Sequence, residues 1–369
     1  MAITKIPAAG FSDAVNFRNI IINGDMSIAQ RATSTASITA NGYHTIDRFN
    51  TFLTTLGTWT QSQSTDVPTG QGFAKSLKMD CTTADASPAA GDRLMIQHLI
   101  EGQNTQYIKK GTSSAESLTV SFWVKSNKTG TYIAEIYDND NTRQISQSYT
   151  ISSADTWEKK TMTFAGDTSG TLVNDKSEGL ILQLWLGAGT TYTSGTLSTT
   201  WTSVTNANRA VGQVNLADST SNEWYITGVQ LEAGTSASDF EFLPVDVNLN
   251  RCLRYYQKSY SLDVFPGTNT TNGLHTTDGS AGGLTTGYLY GDIDFKVAMR
   301  TAPTVTLYDK AGNSGVCARL NAGVARTDSQ NCSAGDIIEK GFSLTSTGTA
   351  NAGAIDVHFE AKAELWLIQ

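Results

Sequence analysis

The length and composition of the chain exclude several classes of protein. It has 369 residues, more than one typical domain, and it is 39% hydrophobic but only 16% charged, with abundant Thr, Ser, Gly and Asn, which is typical of a turn-rich β protein. Because the net charge is −8 with no basic block, nucleic acid is not an expected partner. No apolar run approaches the ~20 residues that a membrane-spanning helix needs.

The first 17 residues show no hydrophobic periodicity. Pro7, Ala8, Ala9 and Gly10 favour an extended segment. Two interpretations stay open: a frayed terminus, or an anchoring arm that docks onto a neighbouring protein. We therefore treat 1–17 as an N-terminal arm.

Short strands alternate with turn clusters between residues 18 and 245. Along 118–125, the even-numbered residues Leu118, Val120, Phe122 and Val124 form one apolar face, and Leu180, Leu182, Leu184 and Leu186 repeat this pattern. Further strands are predicted at 132–137, 157–164 and 224–231. Many short strands separated by Asn, Asp, Gly and Thr predict an antiparallel jelly-roll sandwich over 18–245.

The strand at 224–231 contains a break in its alternation. Its apolar phase shifts from Trp224 and Ile226 to Val229 and Leu231, with Gly228 at the shift. A glycine at such a point predicts a β-bulge.

Residues 246–258 change character. Leu249, Leu253 and Tyr256 follow helical spacing, and Asp246 is suited to cap the N-terminus of a helix. This pattern predicts a short helical linker between two domains. We expect Leu249, Leu253 and Tyr256 to pack on the domain and Tyr255 to face a partner copy.

The remaining residues, 259–369, are again predicted to be β. An alternating run at 293–299 and a strand at 303–308 precede the clearest strand of the chain, at 355–367, whose odd-numbered residues are apolar. A loop rich in Thr, Asn and Gly at 265–283 contains His275. The pattern predicts a second, C-terminal β-sandwich domain, so the chain as a whole is predicted to be all-β.

A series of short motifs resembles a widespread family of bacteriophage tail-fibre and virion structural proteins over roughly residues 17–260. In chain order, the motifs lie at 18–31, Gly42-Tyr43, Asp47-Arg48-Phe49, 121–126, 156–160, 226–234, Asp239–Phe242 and 251–257, and a weaker likeness continues at 294–305. The resemblance implies that the first domain is a carbohydrate-binding jelly roll whose role is attachment. It also implies a homotrimer, and an N-terminal arm that contacts other virion proteins.

Aromatic residues on polar strand faces are the candidate glycan-binding residues. Trp123 and Trp185 project from the polar faces of two predicted strands, where a sugar could stack on either ring. The other candidates, which could contribute hydrogen bonds or lie nearby, are Gln183, Glu135, Tyr137 and His275. The alternative, which we favour for both tryptophans, is that they are packed under a loop or in a second core layer.

No motif predicts a cofactor or a catalytic centre. The four histidines lack metal-ligand spacing, and Cys81, Cys252, Cys317 and Cys332 are best interpreted as buried free thiols. A glycosidase could use paired carboxylates, such as Asp138 with Asp140 or Glu135 with Asp47, although turn carboxylates are more often solvated.

The resemblance to carbohydrate-binding jelly rolls also raises the question of a structural calcium ion. Asn23-Gly24-Asp25 matches the first half of that pattern. Thr227-Gly228 stands where carboxylates are expected, and hard cations need several oxygen ligands, so we predict no bound metal.

The expected function is non-enzymatic attachment of a phage tail fibre or tail spike to a host cell-surface glycan. A head fibre or capsid-decorating protein, and a polysaccharide depolymerase, are the alternatives. Residues 1–10 lack the apolar segment of a secretory signal, so we expect synthesis in the host cytoplasm and a final location on the exterior of the virion.

Overall fold

A computed structural model describes residues 17–278, 287–321, 327–348 and 352–366. All the strand pairs of its three sheets are antiparallel, and helices are few and short. The predicted all-β class, with a jelly roll, a short helix and a β-rich C-terminal part, is confirmed. No helix in the described ranges is long and apolar enough to cross a membrane.

Residues 34–233 form two six-stranded sheets. Sheet A has the order β1-β3-β4-β12-β6-β9, and its strands are β1 Ser34–Ile38, β3 Thr58–Ser64, β4 Ser76–Thr83, β12 Glu223–Ala233, β6 Leu118–Ser126 and β9 Glu158–Phe164. Sheet B has the order β11-β8-β7-β10-β5-β2, and its strands are β11 Thr202–Ser203, β8 Arg143–Ile151, β7 Gly130–Asp138, β10 Glu178–Ala188, β5 Arg93–Glu101 and β2 Asn50–Thr54. Neighbours that are distant in sequence indicate the crossovers of a jelly roll.

The core lies between the two sheets and follows the predicted alternation. The even-numbered residues of β6 from Leu118 to Val124 face those of β10 from Leu180 to Leu186, and all are buried in one cluster. Successive side chains of a strand point to opposite faces of the sheet. The odd-numbered residues therefore point away from this core, on the outer faces of the two sheets.

The chain closes the jelly roll by joining its first described segment to its last strand. The amide of Ile20 donates to the carbonyl of Leu231, and the amide of Val229 donates to the carbonyl of Gly24, both at 2.9 Å. The side-chain oxygen of Asn19 also accepts from the amide of Leu231 at 3.1 Å. The two motifs that open and close the first domain thus lie side by side.

The β-bulge at Gly228 is confirmed. The pairing of β12 with β6 shifts register between Thr227 and Gln230. Gly228 has a φ of +63°, a conformation that other residues rarely adopt. A side chain at this position would also collide with the ring of Phe73.

The linker helix is shorter than predicted. Helix α2 spans Val245–Leu253, with Asp246 in its first turn rather than at the cap, whereas α1 is a single turn at Thr190–Thr193. The chain then returns to strand at β13, Tyr256–Lys258. Tyr256 therefore belongs to the third sheet, where its hydroxyl donates to Glu360.

The prediction that Tyr255 faces a partner copy is wrong. Tyr255 is 1% exposed and packs in its own chain against Ile22, Leu99 and Ile181. Its hydroxyl donates to Glu101 at 2.5 Å. Residues of the same chain therefore pack against the ring of Tyr255 and accept the hydrogen bond of its hydroxyl.

The C-terminal strands form one connected eight-stranded sheet that folds over itself. Its strands are β13, β14 His275–Asp278, β15 Gly287–Asp294, β16 Thr304–Tyr308, β17 Val316–Asn321, β18 Thr327–Ile338, β19 Gly341–Gly348 and β20 Ala352–Lys362. Ile293 of β15 and Phe342 of β19 share a core with Ile355 and Phe359 of β20. The two ends of the sheet therefore pack on each other, as in a sandwich.

Two predicted strands of this region end early. Strand β15 ends at Asp294, within the run predicted at 293–299, and the amide of Phe295 continues the β15–β19 register by donating to the carbonyl of Lys340. Strand β20 ends at Lys362, within the strand predicted at 355–367, and the amide of Ala363 continues the β13–β20 register by donating to the carbonyl of Tyr255. The alternation of the sequence therefore runs past the last residue of each strand.

The Asp47-Arg48-Phe49 motif joins the jelly roll to the C-terminal end of the chain. Arg48 is fully buried, pairs with Glu364 and lies 3.5 Å from the ring centroid of Tyr255. Arg31 bridges Glu364 at 2.8 Å and Asp47 at 3.3 Å. A buried charge is tolerated only when it is paired, so this network ties the two regions together.

Candidate functional site

The outer faces of the two sheets carry the two candidate tryptophans in equivalent positions. Trp123 is an odd-numbered residue of β6 in sheet A, and Trp185 is an odd-numbered residue of β10 in sheet B. Both point away from the main core, as predicted. The surroundings of the two rings nevertheless differ completely.

Trp185, Gln183 and Glu135 come together on the outer face of sheet B, next to Arg209. The indole nitrogen of Trp185 donates to Glu135 at 2.9 Å. Arg209 donates to both oxygens of Glu135, at 2.9 and 3.1 Å, and to Gln183 at 2.8 Å. A guanidinium held this way compensates the buried carboxylate.

A covering segment, residues 189–212, closes this face. Tyr192 and Ala210 from the segment pack on Trp185, which is 0% exposed. The alternative interpretation of Trp185, packing under a loop, describes its position. As glycan contacts, Trp185, Gln183 and Glu135 stay a prediction, and a sugar would reach them only if the covering segment moved.

A row of polar residues runs across sheet B beneath this cover. Paired strands bring into one line Asn50, Gln97, Gln183, Glu135 and Ser146. All five are buried, and the side-chain amides of Asn50 and Gln97 donate to no described residue. The covered face thus has the composition of a binding surface but no opening.

Tyr137 lies at the end of this region and is half-buried. The guanidinium of Arg209 lies 5.0 Å from its ring centroid, and burial raises the pKa of its hydroxyl. Tyr137 therefore joins the other three candidates on sheet B, and Arg209 holds the group together.

Trp123 lies instead in an open pocket on sheet A. This pocket, which we call the Trp123 pocket, has a volume of about 400 Å³. Its lining residues are Gly70, Gln71, Phe73, Ser121, Trp123, Lys159, Gly228, Asp239, Phe240 and Phe242. Trp123 is only partly buried, and its register partner Lys159 is exposed.

Three phenylalanines line the pocket together with Trp123. The ring centroids of Phe73, Phe240 and Phe242 lie 4.8–5.1 Å apart in pairs. Phe242 is 50% exposed, an unusual position for a large apolar side chain. Gly228 makes room for Phe73, so the β-bulge shapes the pocket directly.

A second aromatic cluster continues the same face of sheet A. Trp157 and Tyr225 meet edge to face at 6.2 Å, and the ammonium of Lys125 lies 4.4 Å from the ring centroid of Tyr225. Asp66 accepts hydrogen bonds from Lys125 and from the indole nitrogen of Trp157. Burial raises the pKa of Asp66, but these two hydrogen bonds outweigh it, and the net pKa is lowered.

His275 is remote from both sheets of the jelly roll. It begins strand β14 instead of lying in a loop, so this part of the interpretation is wrong. The centroid of its ring lies 5.7 Å from that of Phe359. Partial desolvation and, to a lesser extent, the positive charge of Lys296 lower the pKa of His275. Residues 279–286 of the proposed C-terminal loop lie outside the described residues.

The carboxylate pairs considered for glycosidase chemistry are engaged in other contacts. Glu135 is bound by Arg209, and Asp47 accepts from Gln30 and Arg31. Asp138 pairs with Lys110 at 2.6 Å. Asp140 is partly desolvated, and this together with the charge of neighbouring Asp138 raises its pKa to about 6. Among the residues the structure describes, no group of three acidic, His or Cys side chains is placed to hold a metal ion.

Sequence reasoning missed the residues that decide both sites. Arg209 stands in a polar stretch with no regular pattern, so no local signal marks it. Phe240 and Phe242 did carry a signal, because two phenylalanines follow the last strand within the motif Asp239–Phe242. Three of the four thiols, those of Cys81, Cys252 and Cys317, are buried as expected.

No protein-family model matches the chain, and no curated protein matches it. Among solved structures it is similar to the enzymatically active domain of tailspike protein 4 of bacteriophage CBA120, with a TM-score of 0.31, 14% identity and coverage of 59% of this chain but only 22% of the other. A family 4 carbohydrate-binding module has a TM-score of 0.30 and 13% identity, with coverage of 58% of this chain and 99% of the module. A putative sugar-binding protein of Bacteroides thetaiotaomicron has a TM-score of 0.29 and 12% identity, with coverage of 58% of this chain and 99% of that protein. TM-scores this low do not establish a shared fold, and the jelly roll is assigned from its strand order and register alone.

Proposed function

We propose that this protein is a non-enzymatic glycan-binding protein of the virion exterior, a tail fibre or tail spike, and that its jelly roll binds a host surface glycan in the Trp123 pocket. The observation that carries the proposal is a pocket lined by an indole and by phenyl rings. Sugar C–H faces stack on such rings, and the polar groups beside them bind hydroxyls.

The polar groups of the pocket are suited to a sugar. Gln71, Ser121, Lys159 and Asp239 line it together with the rings, so donors and acceptors alternate with apolar surface. Its volume of about 400 Å³ falls within the range of small-ligand sites. Within the part of the chain that the structure describes, Trp123 stays partly buried at this pocket, without a cover comparable to 189–212.

The attachment role and the virion location rest on the order of the sequence motifs. That series runs through the jelly roll and into α2, which is the same stretch that carries the pocket. We further propose that the chain forms a homotrimer, that the N-terminal arm contacts other virion proteins, and that neither nucleic acid nor a membrane is a partner. The engagement of Glu135, Asp47 and Asp138 by basic or amide groups supports binding without catalysis.

The test compares two tryptophans of the same face. Trp123→Ala should weaken binding to polysaccharide from the host cell surface by roughly five- to tenfold, because loss of a stacking ring removes on the order of 1 kcal/mol or more. Trp157→Ala is the matched control, since Trp157 is partly buried on the same sheet but does not line the pocket. Isothermal titration calorimetry measures both.

Two results would contradict the proposal. One is a well-folded Trp123→Ala protein that binds as tightly as the unchanged protein, which would remove the pocket from the binding site. The other is release of shorter sugars from the polysaccharide during incubation, which would indicate a depolymerase.

A further inference from the structure

A second cavity, of about 360 Å³, lies where the first described segment, two turns after β5 and helix α2 meet. We call it the Arg251 pocket. Its lining residues are Phe17, Asn19, Ile20, Ile22, Gln103, Asn104, Tyr107, Arg251, Arg254 and Tyr255. It shares no lining residue with the Trp123 pocket.

The two arginines of this pocket are in opposite situations. Arg254 donates to both oxygens of Glu101 at 2.7 Å, and Tyr255 and Gln103 donate to the same carboxylate. Glu101 is therefore saturated and its charge is balanced by Arg254. This ion pair builds the wall of the pocket and leaves no charge for a ligand.

Arg251 has no such partner. One of its terminal nitrogens, Nη2, lies 3.4 Å from the carbonyls of Asn19 and Ile20. The other, Nη1, is shielded from solvent and has no hydrogen-bond acceptor among the described residues. An N–H group left this way costs free energy until an acceptor is supplied, and a carboxylate is the acceptor that suits a guanidinium best.

The nearby carboxylate of Glu241 does not fill this role. Its two oxygens accept from the amides of Phe17 at 3.0 Å and Asn19 at 2.9 Å. Burial lowers the pKa of Arg251, and the nearby Cys252, Tyr255 and Glu241 offset that effect only in part. Among the described residues, Arg251 thus lacks an ion-pair partner, in a chain whose net charge is −8.

The rest of the wall has the chemistry of a sugar site. Tyr107 is 38% exposed and Phe17 is 54% exposed, so two ring surfaces are accessible beside the cation. Gln103 and Asn104 add amide groups at the same place. Rings, amides and one unpaired guanidinium together match an acidic sugar better than a bare anion, which needs no apolar surface.

We propose that the Arg251 pocket binds a carboxylated sugar residue, such as a uronic acid, with its carboxylate on Arg251 and its ring against Tyr107 or Phe17. This site is separate from the Trp123 pocket and does not depend on glycan binding there. It would give a chain with two glycan sites at different positions on one protomer.

The test titrates the full chain with D-glucuronate and with D-glucose, which has the same ring without the carboxylate. Glucuronate should bind at least about tenfold more tightly than glucose, and Arg251→Gln should weaken glucuronate binding by at least about tenfold. Lys109→Ala is the matched control. It removes one positive charge from an exposed side chain two residues from Tyr107 and should leave binding unchanged.

A second variant guards against misfolding, since Arg251 also contacts backbone carbonyls. Asn104→Trp places a ring at the exposed edge of the pocket, keeps Arg251 in place and should block glucuronate with an unaltered thermal melt. Equal binding of glucose and glucuronate, or a folded Asn104→Trp protein that binds normally, would overturn the proposal. Displacement of glucuronate by equimolar acetate or inorganic phosphate would also overturn it, because the site would then be a general anion site.

The two proposals fail separately. Trp123→Ala should bind glucuronate as the unchanged protein does, and Arg251→Gln should keep its affinity in the Trp123 pocket. Loss of glucuronate binding in Trp123→Ala would show that a single site serves both ligands and would contradict the assignment to Arg251.

Discussion

The outer faces of sheets A and B start from the same sequence pattern and end in opposite environments. Each places a tryptophan between polar neighbours on a strand whose other face is apolar. On sheet B, the covering segment 189–212, which includes Arg209, encloses Trp185. The ring of Trp185 is therefore part of a second hydrophobic core. On sheet A, Trp123 stays at the edge of an open pocket. Period 2 shows which residues share a face, but not whether that face is solvated.

Replacing the two tryptophans tests this contrast with the largest expected effect. Trp185→Ala should lower the free energy of unfolding by ~3–5 kcal/mol, because it leaves a cavity and removes a hydrogen bond to buried Glu135. Trp123→Ala should cost about 1 kcal/mol or less, since its ring is partly solvated. Urea denaturation measures both. Equal losses would show that the two faces are equally buried.

The ion pair beneath the covering segment gives a second test of sheet B. Arg209→Ala should destabilise the protein by ~3–5 kcal/mol, because Glu135 would remain buried without its cation. Adding Glu135→Gln to Arg209→Ala should recover part of this loss. The free energy lost in the double variant is compared with the sum of the losses in Arg209→Ala and Glu135→Gln. If the two are equal, Arg209 and Glu135 are not coupled, and other contacts hold the covering segment in place.

On sheet A, the corresponding test is the glycine that shapes the pocket. Gly228→Ala should cost ~1–3 kcal/mol, because a Cβ is disfavoured at a φ of +63° and collides with Phe73. The displaced Phe73 ring should also weaken glycan binding. Gly315→Ala is a suitable control, because its φ of +79° carries similar strain, a Cβ there meets no atom within 4 Å, and Gly315 does not line the pocket. Equal loss of binding in both variants would contradict a specific role for Phe73.

Acid should loosen the closure of sheet B beside α2. Burial raises the pKa of Glu101, but the hydrogen bonds from Arg254 and Tyr255 outweigh it, so the folded-state pKa lies below the unfolded value. The resulting stability is complete above the ordinary glutamate pKa of about 4.3 and is lost as the pH falls through the lower folded-state value.

Glu101→Gln removes this pH-dependent contribution, of about 1–3 kcal/mol. The difference in unfolding free energy between the unchanged protein and the variant should therefore be largest near pH 7 and should shrink below about pH 4. Denaturation curves from pH 7 to pH 3 measure it. A difference that stays constant over this range would contradict the assignment.

The smallest stability effect is expected at the rim of the Trp123 pocket. Phe242→Ala should cost about 1 kcal/mol or less, because half of its side chain is already exposed. Its effect on glycan binding should be larger than its effect on stability. The opposite result would make Phe242 part of the packing that holds the 239–242 segment on Phe73 rather than a contact for sugar.

The sequence was most informative where a residue's environment depends on its own strand. The alternating faces of β6 and β10, the bulge at Gly228 and the β-rich C-terminal part follow from local spacing and backbone preference, and all are present. It was least informative at strand ends. Strand β20 ends at Lys362 although the apolar alternation continues to Leu367, and β15 ends at Asp294 although the alternation continues to Met299.

The sequence by itself determined that Trp123, Trp185, Gln183 and Glu135 point away from the main core, because side-chain direction along a strand has a fixed period. Only the tertiary structure decided that the segment following β10 folds back over three of them and that the fourth stays open. It also brought Arg209 to Glu135, 74 positions earlier, and left Nη1 of Arg251 without an acceptor among the described residues. Such outcomes depend on which distant groups meet, and no pattern within one strand encodes that.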